Sequence, residues 1–435
     1  MSRNTSDCLL CHLSGLYGLD REKSYDKWLL KLIQETTGSA ETAAPFTSFR
    51  TFLSFSNLLI DLTDDEFQGV CKILQLHVEG LFSGLQLQAQ KITDKSFCSF
   101  LLWNQTLDKS FHILLDINVP QVQNESIMTE TDSIGQLKSL MTQVFQTALL
   151  PVDAIRFING DCIWQSAEKP GQIMPQNHYV HRHMRSALDR MQASQSLVVQ
   201  SQGDFKDVRD YWSDGQNEIQ LAGSSQLTDV ILDAIRTGHA GELAALTDTF
   251  HSFSMDTTYF HALESAHIDF NRYETPQRLI AWFILLSCTG VSALNLQSLM
   301  DTFLSTAEHD LPPADQLQRL FCSPSFKPLA KLLSFRHQNA AFHPLGAQIS
   351  LQSTPSIWAV QRFSPDTSQQ VLCLANVSSK TQEITLTEED IVADKSWQSI
   401  FGERTFQAGK PCLLQPYEGL WLIESQKREK KRIKK

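Results

Sequence analysis

AIRFINGDCIW (154–164), PQNHYVHRHMRSALD (175–189) and SLVVQSQGD (196–204) follow one another in the middle of the chain and decide its fold. Ala154–Ile158 is a short run of apolar and β-branched residues and reads as a strand. From Gln176 to Met191 the apolar residues Val180, Met184, Ala187, Leu188 and Met191 recur at helical spacing and share one face. Ser196–Gln200 returns to strand pattern. Strand, helix and strand in immediate succession form the repeating unit of a parallel sheet.

The same alternation extends outward. Upstream, Leu85–Leu87 and His112–Asp116 read as strands and Ser133–Leu150 as a helix. Thr63-Asp64-Asp65-Glu66 forms a capping box, followed by Phe67, Val70, Cys71, Leu74, Val78 and Leu81 on one helical face. Downstream come a helix at Leu227–Arg236, a strand at Thr258–Leu263 and a helix near Phe326–Phe335. Leu279–Met300 carries no charge, yet Gly290, Asn295 and Gln297 interrupt it. It reads as a buried helix followed by a buried strand, and no membrane span is expected. After His343-Pro344 the pattern becomes all-β, with strands at Ile357–Phe363, Val371–Val377, Ile384–Leu386 and Leu420–Ile423. The expected division is an α/β body over 1–345, an all-β domain over 346–425 and a basic tail over 426–435.

Composition agrees with a globular chain. Of 435 residues, 42 % are hydrophobic, enough for a large core. The formal net charge is −11, but seven basic residues lie in Lys427–Lys435. Without that tail the body holds 30 basic and 47 acidic groups, a balance of −17. So acidic a body repels phosphates and excludes a general DNA-binding role, whereas the tail can meet an anionic surface. Nine mostly isolated cysteines and an N-terminus (MSRNTSDCLLCH) without an apolar signal core point to reduced thiols and a cytoplasmic location.

Two local patterns invite metal chemistry. Cys8-Leu9-Leu10-Cys11-His12 matches the haem-attachment spacing, but that chemistry needs export, so plain thiols are expected. His178, His181 and His183 suggest a cluster, but on a helix His183 points about 140° away from His178, so a solvated face is expected and no metal. No phosphate loop, nucleophile elbow or zinc-protease helix is present, and no cofactor is expected.

A resemblance supplies more. LAKLLSFRHQNAAFHPLGAQ (329–348), with Arg336 and its AFHP ending, resembles the end of the catalytic barrel in sucrose-phosphorylase-like members of the α-amylase family. IWAVQRF, VLCLANVSS, WQSIFGE and LLQPYEGLWLI resemble that family's C-terminal β-domain. The segments at 154–164, 175–189 and 196–204 resemble successive barrel segments, as do YWSDGQNE (211–218), TGHAGEL (237–243) and GVSALNLQSL (290–299). LYG (16–18) and GLFSGLQL (80–87) resemble the opening helix and first strand. The resemblance implies a (β/α)₈ TIM-type barrel followed by a β-sandwich, and retaining glucosyl transfer by a carboxylate nucleophile, an acid/base and a third acid.

Carried over residue by residue, those three positions are not filled. Arg156 is present, but the nucleophile position two residues on is Ile158. The acid/base position falls on Gln200, whose amide can hydrogen-bond a hydroxyl but cannot donate a proton at useful pKa. The third acid belongs in TTYFHALESAHIDF (257–270), where alignment reaches His267 and Asp269 lies close by. Only Ile117 to Asp153 separate the third and fourth strands, so the family's inserted domain is expected to be missing, and with it one wall of the sugar pocket. Asn118 is followed by Val119-Pro120 instead of His, and MDTFLSTAEHDLPPADQ (300–316) replaces the Asn/Arg-rich loop of the phosphorylases.

The resemblance therefore implies a trimmed barrel without catalytic carboxylates: a pseudoenzyme whose Arg156, Gln200, His267, Asp161 and Asp269 bind a sugar or sugar phosphate, or which partners an active paralogous enzyme. The competing expectation is a retaining phosphorylase or hydrolase with a rearranged site built on Asp161, Asp204 or Asp269.

Overall fold

The computed structural model describes residues 23–37, 56–60, 73, 74, 77, 80–88, 112–118, 133–150, 152–163, 174–191, 193, 195–201, 211, 218, 219, 221–253, 259–262, 272–351, 353–387, 391, 396–402 and 404–424. Eight parallel strands pair in chain order: β1 (Ser56–Ile60), β2 (Gly84–Gln88), β3 (His112–Asn118), β4 (Ala154–Ile158), β5 (Ser196–Ser201), β6 (Leu221–Ser224), β7 (Tyr259–Ala262) and β8 (Val291–Asn295). β8 pairs in parallel with β1, so the sheet has no free edge. The described helices of eight residues or more are α1 (Lys23–Thr37), α2 (Ser133–Ala148), α3 (Pro175–Arg190), α4 (Gln226–Thr237), α5 (Gly241–Phe253), α6 (Thr275–Ser287), α7 (Leu296–Phe303), α8 (Pro313–Cys322) and α9 (Lys327–Gln338).

The strand–helix–strand unit of the mid-chain is present as β4–α3–β5. Its strands alternate cleanly. Ile155, Phe157, Leu197 and Val199 face outward into a cluster with Leu137, Met141 and Val144 of α2 and Val180, Met184 and Leu188 of α3. Ala154 and Val198 face inward, with Leu114, Leu221, Val291 and Ala293, and fill the barrel interior. Period-two alternation then carries Asp116, Arg156, Ile158 and Gln200 to the inward face, toward the carboxyl ends of β3, β4 and β5.

Two expectations need correction. Gly84–Gln88 is the second strand, because Ser56–Ile60 precedes it and pairs with both β2 and β8. Its apolar run, Leu58-Leu59-Ile60, is too short to stand out without its partners. The strand expected at Ile384–Leu386 lies at Gln382–Ile384, set by antiparallel pairing to Cys412–Leu414. The described helix α5 begins at Gly241, inside TGHAGEL (237–243). Between β3 and β4, α2 fills much of the connection.

By packing, the chain forms two compact units: 1–228 with 257–269 and 290–337, and 229–256 with 270–289 and 338–435. The first holds all eight parallel strands. The second holds an antiparallel sheet of six strands. Its central members are β10 (Ile357–Phe363), β11 (Gln370–Asn376) and β16 (Gly419–Glu424), with β9 (Gln348–Ser350) at one edge and β13 (Ser396–Ser399) and β14 (Thr405–Gln407) at the other. A two-stranded sheet, β12 (Gln382–Ile384) with β15 (Cys412–Leu414), completes the second layer. Ile357, Ala359, Leu372, Leu374, Leu420 and Leu422 from the large sheet pack with Ile384 and Leu414 of the small one.

The other face of the large sheet is covered by helices from the body of the sequence. The Trp358 indole donates to Thr247 Oγ1 of α5 at 3.3 Å, and the Trp421 indole to Ser287 Oγ of α6 at 2.7 Å. Phe283 crowds the backbone at Gly419, where a Cβ would lie 2.5 Å from its ring. Gly419 is therefore a close-approach glycine.

Candidate functional site at the carboxyl ends of the parallel strands

The backbone at the end of β4 turns sharply. Asn159 adopts a left-handed conformation (φ 57°), which Asn tolerates better than most residues. Gly160 then starts a single 3₁₀ turn, Gly160–Cys162, packed so tightly that a Cβ would lie 2.9 Å from Val199. Three side chains hold this turn. The His181 Nε2–H donates to Gly160 O at 2.9 Å, Asn177 Nδ2 donates to Asp161 O at 2.7 Å, and the Ser201 hydroxyl donates to Asp161 Oδ2 at 2.6 Å. Asp161 thus folds back toward the end of β5. It is 3 % exposed.

Arg156 sits one inward step below the turn. Its Nε donates to Asp116 Oδ1 and its Nη2 to Asp116 Oδ2, both at 2.8 Å. Gln86 Nε2 donates to Asp116 Oδ2 at 2.9 Å. Arg156 and Asp116 are each 1 % exposed in their side chains, so the pair is desolvated and internally neutralised. Its first task is to hold β3 and β4 together inside the sheet.

Above this pair, Ile158 on β4 lies in register with Gln200 on β5 and with Asn118 on β3. Gln200 is 9 % exposed, and its Oε1 has no hydrogen-bond partner among the described residues. Such a buried carbonyl oxygen is an acceptor whose hydrogen-bonding capacity the described residues leave unmet.

The three histidines of α3 do not form a solvated face; that expectation is corrected. His181 and His183 are fully buried. His183 shares a 3.0 Å hydrogen bond with the Tyr25 hydroxyl. Burial pushes the His181 imidazole down to about 3, so the ring stays neutral and donates through Nε2. His178 bonds Glu218 Oε1 at 2.7 Å and stacks on Tyr211, while Arg182 donates to the same carboxylate at 3.0 Å. The helix is amphipathic, but its polar positions look inward as well, where tertiary partners satisfy them. Arg336 is buried too, donating to Gly290 O and Ser292 Oγ, a structural role.

The structure thus brings together Arg156, Ile158, Asp161 and Gln200. His267, Asp269, Asp204, Cys8, Cys11, His12, the capping box at 63–66 and the basic tail lie outside the described residues. Sequence reading missed Asp116, Gln86, Ser201 and Glu218. Asp116 carried a legible signal: a lone charge at the inward parity of an otherwise apolar strand, HILLDIN (112–118). Among the described residues no group of three or more His, Cys, Asp or Glu is placed to hold a metal ion, and no helix is long and apolar enough to cross a membrane. Cys288, Cys322, Cys373 and Cys412 are not joined in disulfides.

No protein-family model matches the chain. Among characterised proteins, a glucosylglycerate phosphorylase from Spirochaeta thermophila is 40 % identical over 58 residues, which is 13 % of this chain and 10 % of that protein. The match therefore spans about a tenth of the relative's length. In three dimensions the chain is similar to α-amylase-family enzymes. An α-amylase from Geobacillus thermoleovorans, solved with acarbose, superposes with a TM-score of 0.62 at 11 % identity, covering 86 % of this chain and 98 % of that one. Trehalose-6-phosphate hydrolase from Bacillus licheniformis gives 0.57 at 8 % identity, covering 85 % and 99 %. At these identities the likeness is one of fold.

Proposed function

We propose that this chain is a degenerate, sucrose-phosphorylase-like relative of the α-amylase family that binds a sugar or sugar phosphate at the strand ends without transferring it. The observation that carries the reading is the register of Ile158 with Gln200. These are the two strand-end positions where retaining chemistry would need a nucleophile and an acid/base, and neither side chain can act as either. Arg156 supports the same reading, since its charge is spent on Asp116. Gln200, with an unpartnered Oε1, is the first sugar-hydroxyl contact, and Asp161 the second. His267 and Asp269 complete the proposed contact set.

The proposed division of labour follows the chain: residues 1–345 form the trimmed barrel, 346–425 the β-domain and 426–435 a tail for anionic surfaces. The proposed setting is cytoplasmic carbohydrate metabolism, with an active paralogous enzyme as a candidate partner. A second reading, a retaining phosphorylase or hydrolase with a rearranged site, rests on Asp161, a carboxylate 3 % exposed beside Ser201.

Isothermal titration with glucose, glucose 1-phosphate and glucosylglycerate tests the binding half. Saturable heat that weakens about tenfold in Gln200→Leu, the loss of about one hydrogen bond to a buried partner, is expected. Equal affinity in both proteins would remove Gln200 from the site.

A further inference from the structure

Within the second compact unit, Arg362 of β10 is fully buried and pairs across the strands with Gln348 of β9. Its Nη2 donates to His343 O at 3.0 Å, and its guanidinium lies 5.9 Å from the Phe342 ring centroid. Its Nε and Nη1 reach no acceptor among the described residues. The same is true of Gln348 Nε2 on the neighbouring strand. The Gln348 amide is oriented by its other end, because Oε1 accepts the Thr289 backbone N–H at 3.0 Å. Three buried donor atoms on one cross-strand pair therefore lack an acceptor, and no described carboxylate forms a salt bridge with Arg362.

Native interiors pair almost all such groups, and a buried guanidinium without a counter-charge is among the costliest exceptions. Among the described residues the titratable groups facing it are the thiols of Cys288 and Cys373 and the imidazole of His343. Burial draws the guanidinium down only to about 10, so it remains charged at neutral pH. A water molecule would supply an acceptor but add two donors of its own and no charge. A small anion supplies acceptor capacity and charge together.

We propose that Arg362 and Gln348 form a built-in binding site for one small monovalent anion, of the halide class, which ties β9 and the 340–348 segment to β10. The site is independent of the strand-end site and of any sugar chemistry there.

The test uses the full chain. Thermal unfolding is followed while sodium gluconate is exchanged for sodium bromide at constant ionic strength. A rise in Tm of about 2–4 °C is expected over a hundredfold bromide range. A bromide-soaked crystal should show an anomalous peak within hydrogen-bonding reach of Arg362 Nε and Gln348 Nε2. Gln348→Glu keeps the oxygen that accepts from Thr289 and supplies the missing charge. It should melt higher than the parent in gluconate and lose the bromide response. Arg362→Met should lose the response as well; should that variant fail to fold, Gln348→Glu decides alone. Bromide-independent melting of the parent together with a peak that has no anomalous signal would overturn the proposal, since it would assign the density to water.

Discussion

Arg156 and Asp116 meet through two parallel 2.8 Å hydrogen bonds inside the closed sheet, each side chain only 1 % exposed. A buried pair of this kind contributes little net stability against an apolar pair of equal volume, yet losing one partner is costly. Asp116→Asn strands the guanidinium and should cost about 3–5 kcal/mol. Asp116→Leu with Arg156→Met removes both charges and should cost clearly less than either single change. Denaturant midpoints of the three variants measure this, and an additive double variant would show that the two residues do not act as a unit.

His181 sets a pH limit. Its folded pKa, about 3, lies below the 6.5 of an unfolded histidine, because burial disfavours the imidazolium. The unfolded chain therefore binds the proton first. The stability this neutral ring supports is complete above pH 6.5 and falls as the pH drops toward 3, by about 1.4 kcal/mol per unit. His181→Phe should flatten the stability curve between pH 6 and 4. It should also lower stability at pH 8 by about 1–3 kcal/mol, since Gly160 O loses its donor. An unchanged acid limb would assign the pH dependence to other groups.

Two glycines should respond oppositely. A Cβ at Gly346 would lie 2.5 Å from Phe363 O and 2.9 Å from His343 O, both backbone atoms that cannot swing aside. Gly346→Ala should cost about 1–3 kcal/mol by overpacking. Gly135, in the first turn of α2, would meet nothing within 4 Å. Gly135→Ala should gain about 0.5–1 kcal/mol through helix propensity and a less flexible unfolded chain. Thermal melts of the two variants are enough to see the opposite signs.

Much of this fold was legible, for reasons visible at particular residues. The strand at Ala154–Ile158 and the helix over 175–190 announced themselves because one buries an apolar run and the other an apolar stripe. Ser56–Ile60 did not, because it becomes a strand only through its partners on both sides. The short strands β13, β14 and β15, three or four residues each, were invisible for the same reason. At the site, Arg156, Ile158 and Gln200 could be placed from the sequence, but their partners could not. That Asp116 holds Arg156, and that Ser201 holds Asp161, depends on a register between strands distant in sequence. The misread histidines carry the opposite lesson. A polar residue on an amphipathic helix was assigned to water, whereas His181 finds its acceptor in a turn that closes only in the folded protein.

The central claim, sugar binding without transfer, is tested most directly by incubating the pure protein with glucosyl fluoride, sucrose and glucosylglycerate, each with and without phosphate, and measuring released fluoride, fructose, glycerate and glucose 1-phosphate. The expected result is no release above the uncatalysed rate, in the parent and in Asp161→Asn alike. Sustained turnover by the parent that disappears in Asp161→Asn would contradict it and establish a rearranged retaining site.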